Sequence, residues 1–230
     1  SRLMKKLNIF CFGFGQVAKN FVKKINDEKI SFELNVTSRE TSKRKVFENI
    51  NYENFYFNED KFDKNLLKKL EEADHVLISI PPINGKDVVT ENFEENFNDK
   101  TYKWITYLSA TSVYGNHDGK WVDEKSEVNP TSINGISRLN AEKKWLKLSQ
   151  KFGLPLQIFR LSGIYSNQNN ILTRLKSGEA KIISKKNHFF SRIHVEDIAN
   201  VLYKSLQNIK KGEIFNISDD KPATSEDLIM

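Results

Sequence analysis

The sequence predicts a doubly wound α/β fold built on a parallel sheet. Three observations lead there. Strand-like apolar runs alternate with helical periodicity along most of the chain; the run His75–Ile80 is apolar almost throughout, as in a strand covered on both faces; and the first run, Leu7–Phe12, stops at two glycines and reopens as a helix. A right-handed crossover between parallel strands accounts for that alternation. At 230 residues the chain can bury a sizeable core.

The glycine turn comes first in the chain and in importance. Gly13 permits a tight turn, Gly15 lets a ligand approach bare backbone, and Ala18 lets the helix pack close to its strand. This G-x-G-x-x-A spacing, followed by helical periodicity at Ala18, Phe21, Val22 and Ile25, predicts a dinucleotide site with the pyrophosphate cradled by Gly13, Phe14, Gly15, Gln16 and Val17. A second strand, Phe32–Val36, ends in Thr37-Ser38-Arg39, where such folds choose their cofactor. An acidic residue there would bind the adenosine ribose hydroxyls, whereas Arg accommodates a 2′-phosphate. Ser38 and Arg39, with Lys43 and Arg44 behind them, favour NADP over NAD; Glu40 is the residue that speaks for NAD.

A short aromatic strand is expected at Asn54–Phe57, then a helix over Lys64–Glu71 carried by Leu66, Leu67 and Leu70. The fourth strand, His75–Ile80, is stopped by Pro81-Pro82, because proline cannot continue the ladder. Its end faces the cofactor in a doubly wound sheet, so Ile80, Pro81, Pro82 and Ile83 are expected to wall the adenosine side, with His75 structural at the other end. Val88–Phe97 can form a helix and Trp104–Ser109 the fifth strand.

Composition narrows the classes. No stretch of about 18 apolar residues appears, so no membrane span is expected, and Lys5 and Lys6 interrupt any signal-peptide pattern. The single cysteine, Cys11, sits in the first apolar run, which fits a core residue in a reducing cytoplasm. The net charge of +6 comes from lysines scattered over polar helix faces, and no nucleic-acid-binding signature accompanies it. The expected partner is a small-molecule substrate, with a homodimer allowed and neither nucleic acid nor membrane.

From the fifth strand onward the motifs become more specific. Leu108-Ser109-Ala110-Thr111-Ser112-Val113-Tyr114-Gly115, Asn134–Glu142, Phe159–Tyr165, Arg192–Ala199 and Ile214–Asp220, in this order, resemble the extended and atypical short-chain dehydrogenase/reductase superfamily, the NAD-dependent epimerase/dehydratases. The resemblance implies a Rossmann fold over residues 1–161, completed by 193–218, with 162–192 and 219–230 facing the substrate. It implies an oxidoreductase or epimerase/dehydratase-like protein acting on a small polar or nucleotide-sugar-like substrate. Cofactor contacts are implied for Ser109, Ala110 and Arg138, and for Gly163 and Ile164 after the sixth strand. Arg174 and Arg192 become candidate anion binders for the substrate, or surface cations.

In that family a Ser or Thr after the fifth strand and a Tyr-x-x-x-Lys pair on the next helix carry the proton. Here those positions fall on Ala110, Asn134 and Arg138, and all three standard groups are missing. Asparagine cannot titrate and arginine stays protonated, so neither replaces the phenol. Thr111, Ser112 and Tyr114 offer nearby hydroxyls that could polarise a substrate or simply pack. The alternative function is therefore a non-catalytic NAD(P)-binding sensor or partner-binding protein. By the same resemblance His194 secures the junction into the helix bearing Ile198, Val201, Leu202 and Leu206. Thr224–Asp227 reads as a capping box opening a further helix, so a small or truncated C-terminal part is expected.

Overall fold

The computed structural model describes residues 5–98, 102–115, 123–165, 192–209 and 211–217. β1 (Leu7–Phe12) runs into α1 (Gln16–Asp27), and β2 (Phe32–Ser38) returns beside β1, pairing Leu7 with Phe32 and Cys11 with Val36. β3 (Lys43–Phe47), β4 (Ile50–Asn58) and β5 (Lys61–Phe62) follow, then α2 (Leu66–Glu72) and β6 (His75–Ile78). Next come α3 (Val88–Phe93), a 3₁₀ turn over Glu94–Phe97, β7 (Trp104–Ala110) and a second 3₁₀ turn over Thr111–Tyr114. α4 (Ile133–Phe152), β8 (Leu156–Leu161), β9 (Gly163–Tyr165), β10 (Arg192–His194), α5 (Val195–Ser205) and β11 (Ile214–Ile217) complete the described chain.

The main sheet has the order β11-β8-β7-β6-β1-β2-β4-β3, parallel except for β3 and the short β5, which run antiparallel to β4. β1 lies between β2 and β6, so strand order reverses at β1, and the crevice beyond its carboxyl end is where open α/β sheets bind ligands.

The pleat sends alternate side chains to two cores. Ile9, Cys11, Leu34, Val36, Leu77 and Phe159 meet the apolar faces of α1 and α5, including Phe21, Val22, Ile25, Ile198 and Leu202. Phe10, Phe12, Val76, Ile78, Ile105, Tyr107 and Ile158 meet Leu66, Leu70, Val89, Phe93, Ala141, Trp145 and Leu148 on α2, α3 and α4. Burial on both faces explains why these strands read as apolar runs, and it places Cys11 fully inside, where burial pushes its thiol above the ordinary value.

Several elements depart from the sequence reading, and β6 ends at Ile78, short of the expected Ile80. Between β2 and β4 the strict strand–helix alternation breaks: a strand, β3, folds back on β4 where a crossover helix is the usual solution. Lys43–Phe47 exposes Lys43, Arg44 and Val46 on an edge strand, and charged side chains on an edge protect it from further pairing. The aromatic strand is correspondingly longer than Asn54–Phe57, because Ile50–Tyr52 pairs with β3. The expected Val88–Phe97 helix tightens into its 3₁₀ turn after Phe93. His75 lies at the amino end of β6, with Nδ1 2.5 Å from Asp74 Oδ1, away from the carboxyl edge. Among the described residues no helix is long and apolar enough to cross a membrane.

Candidate functional site

The carboxyl ends of β2, β1, β6 and β7 lie side by side along one edge of the sheet, and the glycine turn stands at their centre. Gly13 has φ +87°, and a Cβ there would lie 2.9 Å from Ser79 Oγ and 3.1 Å from Ile80 Cγ1, so only glycine fits. Its N–H donates to Thr37 Oγ1 at 3.0 Å, while Ser79 Oγ donates to the Phe12 carbonyl at 3.0 Å. The tips of β1, β2 and β6 are thereby tied together. Gly15 is the N-cap of α1, and a Cβ placed on it would meet nothing within 4 Å. No side chain caps this helix start and its first turn carries no acid, which leaves amide donors and the positive end of the dipole for an anion. A pyrophosphate fits that cradle.

At the β2 tip, Ser38 Oγ accepts the Glu40 N–H at 3.2 Å, which turns the chain sharply and leaves Arg39 exposed. Glu40 is ion-paired with Lys45 of β3, and Asn54 Nδ2 donates to the carbonyls of Glu40 and Thr41 at 3.3 and 3.2 Å. The hairpin also reaches the glycine turn. The Phe14 ring packs on Tyr52 at 4.8 Å and on Phe47 at 6.1 Å, and Lys19 Nζ sits 5.8 and 5.6 Å from the Phe14 and Phe47 ring centres.

Beyond β6, Ile80, Pro81 and Pro82 lead into a tight Asn84-Gly85 turn, φ +51° and +78°, closed by reciprocal Ile83–Lys86 backbone hydrogen bonds of 2.9 and 3.0 Å. This is the Asn-Gly chemistry of a two-residue hairpin. Gly85 leans towards α4, where a Cβ would lie 3.8 Å from Ser137 Oγ.

α4 opens on Ser132, whose Oγ accepts the Gly135 N–H at 2.9 Å. A Cβ on Gly135 would come within 2.5 Å of the Ser112 carbonyl, so glycine there lets α4 press against the Thr111–Tyr114 turn. Asn134 is exposed and Arg138 half-buried. Arg138 Nη1 donates to the Leu108 carbonyl at 2.8 Å and lies 3.4 Å from the Tyr107 hydroxyl. Ala110, Thr111 and Ser112 are half-buried beside it.

Beneath this surface lies a polar network that the motif reading missed. Ser109, Arg160 and Asn216 stand abreast on β7, β8 and β11 and face α4. Glu142, 1% exposed, grips Arg160, 4% exposed, through Nε–Oε2 at 3.0 Å and Nη2–Oε1 at 2.6 Å, and accepts Ser109 Oγ at 2.5 Å. Arg160 Nη1 also donates to the Tyr114 hydroxyl at 2.9 Å, which in turn donates to Asn216 Oδ1 at 2.8 Å. Asn216 N–H finally donates to Glu124 at 2.6 Å. Burial works against the charge on Arg160, and the Glu142 carboxylate more than offsets it, so the guanidinium holds its proton above the ordinary value. Burial likewise raises the phenols of Tyr107 and Tyr114, against the lowering effect of Arg138 and Arg160 respectively. The signal available beforehand was a charged residue inside the otherwise buried strand Leu156–Leu161, which demands a partner.

The expected residues therefore divide into groups. Gly13, Phe14, Gly15, Gln16, Val17, Ser38, Arg39, Ile80, Pro81, Pro82, Ala110, Thr111, Ser112, Asn134 and Arg138 all stand around the carboxyl edge. Ser109 and Tyr114 turn their hydroxyls inward to the Glu142–Arg160 pair. Gly163 and Ile164 form β9, paired with Arg192 and Ile193 of β10. Arg174 and the Thr224–Asp227 capping box lie outside the described residues. His194 Nδ1 accepts the Glu196 N–H at 3.1 Å and caps α5. Among the described residues no cluster of His, Cys, Asp and Glu could hold a metal ion.

This fold and edge define an α/β protein of the Rossmann class. Residues 89–218, more than half of the chain, match the NAD dependent epimerase/dehydratase family, and the chain belongs to that family. It is 25% identical over 234 aligned residues to the ADP-L-glycero-D-manno-heptose-6-epimerase of Brachyspira hyodysenteriae, covering 89% of this chain and 73% of that protein. Among solved structures it resembles a functionally unknown conserved protein from Silicibacter pomeroyi, with TM-score 0.76, 31% identity and coverage of 96% and 75%. The UDP-glucuronic acid 4-epimerase of Bacillus cereus, solved with NAD, shares the fold at TM-score 0.74 and 16% identity, with coverage of 97% and 81%.

Proposed function

We propose that this chain binds a nicotinamide dinucleotide across the β1 turn, with NADP preferred, and presents it to a nucleotide-sugar-like substrate. The observation that carries the reading is the bare glycine turn, left-handed at Gly13 and open at Gly15, at the point where strand order reverses. Amides at the start of α1 would hold the pyrophosphate, Arg39 and Ser38 the adenosine ribose end, and Ile80, Pro81 and Pro82 would flank the adenine side. Arg138 and the strand end at Ala110 would border the nicotinamide half. The bound dinucleotide would supply hydride exchange with a hydroxyl-bearing carbon. The sugar-nucleotide preference is supported by the 25% likeness to an ADP-heptose epimerase.

A second reading, binding without turnover, is favoured by one set of residues: Ala110, Asn134 and Arg138 stand where proton-transferring groups are expected. Neither an asparagine nor an arginine replaces a phenol as proton donor and acceptor, burial raises the pKa values of Tyr107 and Tyr114, and Glu142 is bound to Arg160. Thr111 and Ser112 can donate hydrogen bonds but cannot act as bases at neutral pH. Loss of general acid–base help costs about 10² to 10⁴ in rate. Calorimetric titration with NADPH and NADH, followed by product analysis on a panel of UDP- and ADP-sugars, tests both readings. Binding with turnover supports the epimerase reading, binding without turnover supports the second, and failure of both cofactors to bind overturns both.

A further inference from the structure

The β3–β4 hairpin brings an unusual density of cations to the tip of β2. Glu40 is ion-paired with Lys45, Lys43 and Lys19 lower its pKa through space after that pairing, and Arg39 stands next to it in sequence. The Ser38–Ser42 loop that carries these groups is pinned along its length. Ser38 Oγ accepts the Glu40 N–H, Asn54 takes the carbonyls of Glu40 and Thr41, and Ser42 Oγ accepts the Tyr56 N–H at 2.8 Å. Glu40 is the only acid in that loop, and its carboxylate is already committed to the hairpin. Arg39 is exposed and makes no ion pair among the described residues. A helix in place of β3 would not supply Lys45 from this side; the strand does, because Lys45 pairs across to Tyr52 on β4, whose ring packs on Phe14 of the glycine turn.

We propose that Lys45 is a positioning residue that sets cofactor choice: it holds the Glu40 carboxylate as its own counter-ion and so leaves Arg39 to receive a 2′-phosphate. The proposal rests on the dinucleotide reading above and adds a determinant that touches neither the phosphate nor the ribose. An adenosine 2′-phosphate carries nearly two negative charges at neutral pH. With Lys45 removed, Glu40 either captures Arg39 or faces that dianion directly, and both outcomes remove the advantage of NADP. One carboxylate acting on a dianion at about 6 Å in water changes affinity on the order of tenfold.

The test is calorimetric titration of the full chain and of Lys45→Met, Glu40→Gln and the double variant with NADPH and with NADH. The natural chain is expected to bind NADPH more tightly. Lys45→Met is expected to lower the NADPH-to-NADH affinity ratio about tenfold, Glu40→Gln to keep or raise it, and the double variant to return to the Glu40→Gln value. An unchanged ratio in Lys45→Met overturns the proposal. So does a double variant that stays as low as Lys45→Met, since Lys45 would then contact the phosphate itself. If the natural chain binds neither dinucleotide, the cofactor reading falls and this proposal with it; if it binds both and the variants do not differ, only this proposal falls.

Discussion

Glu142→Gln removes one charge from the most deeply buried ion pair of the described chain. The carboxylate is 1% exposed and makes two charge-assisted hydrogen bonds to Arg160 at 3.0 and 2.6 Å, with a third from Ser109 at 2.5 Å. The glutamine can keep one acceptor but leaves the guanidinium, 4% exposed, without a counter-ion. Breaking a buried pair from one side costs about 3–5 kcal/mol, because the remaining charge stays desolvated. Against a total stability on the order of 5–15 kcal/mol that loss is large, and urea unfolding followed by circular dichroism in the cold should show a lower midpoint with little change in slope. The apolar double variant Glu142→Leu/Arg160→Met leaves no buried charge. It should recover at least half of the loss, with the hydroxyls of Ser109 and Tyr114 accounting for the remainder at about 1 kcal/mol each. A loss below about 1 kcal/mol in Glu142→Gln would refute the argument, since the pair would then behave like a surface one.

Gly15→Asp should abolish dinucleotide binding while shifting the melting temperature little, because its Cβ meets nothing within 4 Å; a retained affinity in titration would misplace the pyrophosphate. Gly13→Ala, by contrast, should destabilise the fold by about 1–3 kcal/mol, since φ is +87° and Ser79 and Ile80 stand in the way. Denaturation showing no loss would contradict that backbone geometry. His75 has its pKa lowered by burial, despite the raising effect of Asp74, so its neutral form is favoured in the folded state. Its contribution is full above the ordinary value of 6.5 and is lost as pH falls from there through the depressed folded value. His75→Gln should flatten that part of the stability–pH curve, and an unchanged slope would exclude His75 as its source. Asp87 is raised by burial even though Thr90 N–H and Oγ1 bind it at 2.9 and 2.8 Å. Stability should therefore decline as pH rises through its folded value, and Asp87→Asn, which can still cap α3, should be more stable than the natural chain at neutral pH but not near pH 3.8.

The central layers of the fold were legible because their signals are local. Leu7–Phe12, the glycines and Ala18, Phe21, Val22 and Ile25 state a strand, a turn and a helix face within a few residues of one another, and β1 and α1 take those places. The hairpin was not legible. Lys43–Phe47 has no strong strand pattern, and its pairing is set by β4, whose apolar positions belong to two different cores. The gathering of the motif residues at the carboxyl edge could be anticipated from motif order, yet the inward turn of Ser109 and Tyr114 could not. It depends on Arg160 standing abreast of Ser109 across β7 and β8 and on Glu142 descending from α4, contacts between residues far apart in the chain. Thr37 was read as part of a strand tip, while its service to the Gly13 amide depends on the register between β1 and β2.

A crystal structure of the full chain soaked with NADPH tests the account most directly. The pyrophosphate should lie on the amides that open α1 beside Gly15, with the 2′-phosphate on Arg39 and Glu40 still paired with Lys45. A dinucleotide bound elsewhere, or with its adenosine ribose held by the Glu40 carboxylate, would contradict it.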